Sequence, residues 1–113
     1  MIYKEIIPPR EFKFSDSSSV VIKHSADVKL DTDEQVTFVD DNLKEYDVVK
    51  KDWGYYATPS VNSRLKKFGF KTALTRNPSK NYYIMLVEDT KIVKFKNYLR
   101  EENMLLVEWL DER

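Results

Sequence analysis

Cysteine is absent from the 113 residues. That excludes disulfides, thiolate zinc sites, iron–sulfur clusters and cysteine nucleophiles. Histidine occurs once, as His24, so no histidine pair is available to hold a metal. With only two glycines, Gly54 and Gly69, the chain has no glycine-rich phosphate loop. No apolar run approaches the roughly 20 residues that a membrane-spanning helix requires. The start, Met1-Ile-Tyr-Lys-Glu-Ile-Ile-Pro-Pro-Arg10, carries an early Glu5 and lacks an apolar signal core. These absences give the expectation of a soluble, cytoplasmic protein with no membrane partner. An excess of one charge sign is also missing: 19 basic side chains meet 19 acidic ones, a net charge of zero.

What is present describes a folded domain. Hydrophobic residues make up 42% and aromatics 13%, which disordered chains do not reach. A chain of this length buries roughly 65% of its unfolded surface, enough for a core without staples. The expected organisation is one α+β domain over residues 1–113, with a β-rich N-terminal lobe over residues 1–52. The zero charge is a sum of unequal segments. Residues 1–57 hold eight basic and twelve acidic side chains, a balance of −4. Residues 58–100 hold ten basic and two acidic, giving +8, and the last thirteen give −4.

Patterning sets the expected elements. The first half is mainly β. Val20–His24 and Val28–Leu30 are brief β-prone pieces separated by Ser25-Ala-Asp27, and Ser15–Ser19 is a short loop. Gln35–Val39 is a stronger strand, closed by Asp40-Asp-Asn42 and returning over Leu43–Val49. Pro8-Pro9 confines Met1–Phe14 to an edge piece or wrapping arm. In the second half, Thr58-Pro-Ser60 reads as a helix start with Thr58 as N-cap. Val61, Leu65 and Phe68 form its apolar stripe, and Gly69 ends it. Phe70–Arg76 and Tyr82–Glu88 read as strands joined by Asn77-Pro-Ser-Lys-Asn81. Asp89 or Thr90 caps a second helix with Ile92, Phe95 and Leu99 inward, and Met104–Leu110 forms a last strand. The run from Tyr82 to Leu110 implies a parallel crossover. The fold class is therefore α+β: a small mixed or antiparallel sheet with two helices.

Four constellations carry potential chemistry. The first is the start of the Thr58–Phe68 helix, whose free N–H groups and dipole attract anions. Thr58, Ser60, Asn62 and Ser63 add short donors there, Arg64 can reach a phosphate or carboxylate, and Trp53-Gly-Tyr55-Tyr56 leads in. Ordinary capping explains the same residues. The second is the basic middle, where ten cations from Arg64 to Arg100 alternate with Phe68, Phe70, Tyr82, Tyr83, Phe95 and Tyr98. Cations with stacking platforms suit single-stranded nucleic acid, although a solvated face accounts for most of them. Lys71 and Arg76 stand five apart, so strand alternation sends them to opposite faces.

The third is catalysis, which finds little support. Asp31, Asp33, Glu34, Asp40 and Asp41 lack calcium-loop order. Asp47 and Asp52 specify no acid–base geometry, and no serine nucleophile elbow occurs. The fourth is Met104–Leu110, apolar on both faces, which is either a central strand or an edge awaiting a partner, with Trp109 as its anchor. Core packing is the simpler role for it.

The block Lys50-Lys-Asp-Trp-Gly-Tyr-Tyr-Ala-Thr-Pro-Ser-Val-Asn-Ser-Arg-Leu-Lys-Lys-Phe-Gly-Phe70, with Tyr82–Glu88 and Glu108-Trp-Leu-Asp111, resembles small uncharacterised bacterial proteins associated with surface-polysaccharide or sugar biosynthesis. The resemblance covers the C-terminal two-thirds and implies no assigned activity, cofactor or catalytic set. Taken together, the sequence points to a small, non-catalytic bacterial binding or accessory protein without metal or cofactor. Its expected ligand-binding residues are Trp53, Tyr55, Tyr56, Thr58, Ser60, Asn62, Arg64 and Lys67. Its expected partner is an anionic small molecule, such as a sugar nucleotide, or an acidic protein surface. The alternative is nucleic-acid binding through the 58–100 basic region.

Overall fold

Pro8 and Pro9 shape the first element. The computed structural model describes residues 1–14 and 18–113, so residues 15–17 of the expected Ser15–Ser19 loop lie outside the described residues. β1 (Ile2–Phe12) pairs antiparallel with β2 (Ile22–Lys29), but the register breaks between Glu5 and Arg10. Proline has no amide hydrogen to donate, so the ladder skips the Pro8-Pro9 segment. β2 is one continuous strand rather than two short pieces. Ser25-Ala-Asp27 looks turn-forming in isolation, yet Ala26 and Asp27 pair with Glu5 and Lys4. Cross-strand pairing there outweighs local propensity.

β3 (Gln35–Val39), β4 (Glu45–Lys51) and β5 (Gly54–Ala57) form a three-stranded sheet in that order. The β3–β4 turn is tied by Asp40, whose Oδ1 accepts from the amides of Asn42 and Lys44, each at 2.9 Å. α1 (Arg64–Lys67) is followed by β6 (Phe70–Arg76) and β7 (Tyr82–Glu88). A 3-10 turn at Asp89–Lys91 leads into α2 (Ile92–Glu101), and β8 (Leu105–Trp109) ends in a second 3-10 turn at Leu110–Glu112. β6 lies between β7 and β8 and is antiparallel to both. The expected parallel relation of β7 and β8 therefore holds, but with β6 inserted between them. The architecture is broadly α+β, with 49% strand, 18% helix and several small antiparallel sheets instead of one.

Chain contacts group the residues into two compact units. The first comprises Met1–Val36 and Val48–Tyr56, and the second Thr37–Asp47 and Ala57–Arg113. Among the described residues of the first, Leu30 is the buried apolar one. In the second, Leu65, Ala73, Val87 and Leu99 are buried together with the polar Asp47, Thr72, Thr75 and Asp111. α2 turns Leu99 inward with Ile92 and Phe95 half-buried, as its periodicity predicts, and Phe95 meets Trp109 at 5.8 Å between ring centroids. Among the described residues no helix is long and apolar enough to cross a membrane.

The first helix differs most from expectation: it runs over four residues, not from Thr58 to Phe68. Ser60, not Thr58, closes its start, since its Oγ accepts from the Arg64 amide at 3.0 Å and its carbonyl from the Leu65 amide at 3.1 Å. Thr58 is drawn elsewhere: its amide donates to the Asp47 carbonyl at 3.0 Å and its hydroxyl to the Asp47 carboxylate at 3.2 Å. Gly69 follows the helix at φ 83°, the left-handed conformation expected of a terminating glycine.

Candidate functional site

The eight expected ligand-binding residues fall in different units, and each set stands by itself. Trp53, Tyr55 and Tyr56 belong to the first unit. β4 ends at Lys51 and β5 begins at Gly54, leaving Asp52-Trp53 as the reversal. Gly54 adopts φ 145°, a conformation that residues with a Cβ rarely take, so glycine permits the tight turn that places Trp53 at its tip. Trp53, Tyr55 and Tyr56 are 67%, 63% and 45% exposed. Trp53 and Tyr56 stack at 6.0 Å between centroids with an interplanar angle of 20°. Lys50 Nζ sits over the Tyr55 ring at 5.2 Å from its centroid. Lys51 is held by an ion pair with Asp33 that keeps its ammonium above the usual lysine range. Trp53 and Tyr56 thus form a stacked pair of nearly parallel rings, while Tyr55, the neighbouring residue of β5, carries Lys50 on the opposite face of the strand.

Thr58, Ser60, Asn62, Arg64 and Lys67 belong to the second unit. Arg64 Nη2 donates to Asp47 Oδ2 and to Thr58 Oγ1, both at 2.7 Å. The Thr37 hydroxyl donates to Asp47 Oδ1. The Thr37 hydrogen bond, with those of Arg64 and Thr58, outweighs burial and holds the Asp47 carboxyl below its ordinary 3.8. Both two-point edges of a guanidinium include this nitrogen, so Arg64 has no free edge for bidentate capture of a phosphate or carboxylate. Ser60 serves the helix start, while Asn62 and Lys67 are exposed. Arg64 and Thr58 thus anchor a buried carboxylate, and Asp47 is a structural acid.

His24 is half-buried on β2, accepting from Arg10 Nε at Nδ1 (3.4 Å) and donating from Nε2 to Asp27 Oδ1 (2.8 Å). Asp31 and Glu34 meet the Met1 ammonium at 3.7 and 3.0 Å. Within the basic middle, Arg64, Lys71 and Lys91 are in ion pairs with Asp47, Asp111 and Glu88. The β6–β7 register is unbroken from Phe70 to Arg76, so Lys71 and Arg76 occupy opposite faces. β8 is an edge strand with Leu105 and Val107 exposed, while Trp109 packs on Phe95.

Sequence reading missed a second buried acid. Asp111 takes the Thr72 amide at 2.9 Å and Lys71 Nζ at 2.8 Å, and Lys71 lies 4.9 Å from the Trp109 ring centroid. Burial alone pushes this carboxyl up, but Lys71 and the Thr72 amide outweigh it and hold it below its ordinary 3.8. No spacing rule links Lys71 to an acid 40 positions on. No family model, no curated protein and no solved structure matches the chain.

Proposed function

We propose that the chain is a non-catalytic binding or accessory protein whose Trp53–Tyr56 face takes an anionic, ring-bearing small molecule such as a sugar nucleotide. The observation that carries this reading is the pair of exposed, nearly parallel rings of Trp53 and Tyr56 on a glycine-closed turn. Leaving an aromatic side chain half in water forgoes on the order of 2 kcal/mol of hydrophobic stabilisation. Trp53 and Tyr56 form one contiguous exposed apolar patch rather than scattered side chains, the kind of surface that marks a binding site. Flat rings stack on a base or on the apolar face of a sugar, and Lys51, which interacts electrostatically with Tyr56, supplies a positive charge near them.

Calorimetric titration with UDP-glucose tests the reading. Saturable binding is expected, weakened about tenfold by Trp53→Ala, the loss of one stacking contact. Absence of heat at millimolar ligand overturns it.

The nucleic-acid alternative draws on Lys66, Lys67, Lys80, Lys94, Lys96 and Arg100, all exposed side chains of the second unit. It requires affinity for single-stranded oligonucleotides that falls steeply with salt, because each phosphate contact releases a counterion. Salt-independent behaviour rejects it.

A further inference from the structure

The three-stranded sheet of the second unit has two edges, β7 and β8. They differ in how they are protected. β8 is five residues long, is bulged where the register slips between Leu74 and Thr75, and carries the Glu108–Arg113 ion pair at 2.9 Å. Bulges, charges and short length are the devices that keep an edge from pairing. β7 has none of them over Tyr82-Tyr-Ile-Met-Leu-Val87, six residues without charge, proline or glycine. β1 and β2 bear several charged side chains each, and β1 also Pro8-Pro9. The uncharged edges β3 and β5 are shorter, at five and four residues.

Tyr82, Tyr83 and Ile84 are each between 44% and 57% exposed. Successive strand residues point to opposite faces, so both faces of this end of β7 are open. A helix or loop docked on one face covers only half of them, whereas an added strand covers both while pairing the free backbone groups. The exposed area of these three side chains, roughly 300 Å² per copy, is well short of the ~800 Å² per partner of a standard stable interface. Association through this edge is therefore weak and reversible.

We propose that β7 is a self-association edge: it pairs antiparallel with β7 of a second copy of this chain about a two-fold axis, joining two three-stranded sheets into one of six strands. Antiparallel self-pairing is isologous and closes at a dimer. It also sets uncharged residues against uncharged residues, so no like charges face each other. A foreign strand is ordinarily selected by complementary charge, and this edge offers none to read.

Sedimentation equilibrium of the full chain from about 10 μM to about 1 mM tests the proposal. The apparent mass is expected to rise with concentration from 13.5 kDa toward twice that value. Ile84→Lys places two like charges near the axis and is expected to weaken association at least about tenfold, as is Tyr82→Asp. Val93→Lys, at an exposed apolar position on α2, is expected to change nothing. Far-ultraviolet circular dichroism checks that each variant stays folded, and amide exchange in the wild type is expected to slow within Tyr82–Val87 at high concentration. A mass that stays monomeric throughout overturns the proposal. So does association that survives both β7 substitutions, or that Val93→Lys abolishes.

Discussion

Asp47 and Asp111 are almost fully buried, and each is satisfied by partners distant in sequence. Their ionised forms are stabilised in the folded chain, so both titrate below 3.8 there. As the pH falls, the unfolded chain takes up these protons first. The stability they contribute is complete above their ordinary value and is lost as the pH drops through the lowered one. Urea midpoints at pH 7 and pH 3 are expected to show a steep loss in the wild type and a shallower one in Asp111→Asn. At pH 7 the same substitution leaves Lys71 with only Glu112, at 3.4 Å, as its ion-pair partner. That costs about 2 kcal/mol, read as a melting temperature lower by roughly 8 °C. Thr72 acts in the opposite direction. Its hydroxyl is buried with no hydrogen-bond partner among the described residues. Thr72→Val keeps the shape, removes the unmet polar group and is expected to raise stability by about 1 kcal/mol in the same urea titration.

At the scale of elements, the sequence was legible where local signals and final contacts agree. Both strands of the hairpin Phe70–Arg76 and Tyr82–Glu88 have their expected bounds, because alternating β-formers flank a turn that Asn77 closes through its own side chain. The inward face of α2 was legible for the same reason. Thr58-Pro59 misled because its motif is local while its partner is not: Asp47, eleven residues upstream, claims the threonine. β2 misled in the reverse direction, since pairing with β1 straightened a locally turn-prone segment. The aromatic surface at Trp53–Tyr56 was visible as composition, but only the turn at Gly54 brings two of its rings into a stack. Two substitutions probe α1. Ser60→Ala removes the hydroxyl that caps Arg64 and is expected to cost about 1 kcal/mol. Gly69→Ala meets no close atom, since the nearest neighbours of an added Cβ stand at 3.5 Å, so its expected loss of about 1 kcal/mol is backbone strain alone. Thermal denaturation of each variant measures both effects.

For the chain as a whole, folding redistributes the charge that the sequence keeps in blocks. The first unit holds seven basic and eight acidic side chains, and the second twelve and eleven. The −4, +8 and −4 segments thus become two units at −1 and +1, since the acidic Thr37–Asp47 stretch groups with the basic middle. A ligand drawn by net charge has little to find on either unit, so the proposed binding rests on the stacked rings of Trp53 and Tyr56. The indole N–H signals of the two tryptophans in a nuclear magnetic resonance titration test this most directly. With UDP-glucose added to the full chain, the Trp53 indole and the amides of Gly54, Tyr55 and Tyr56 are expected to shift saturably, while Trp109, packed on Phe95, stays in place. A Trp53 signal that does not move at millimolar ligand, or shifts confined to residues away from this turn, contradicts the account.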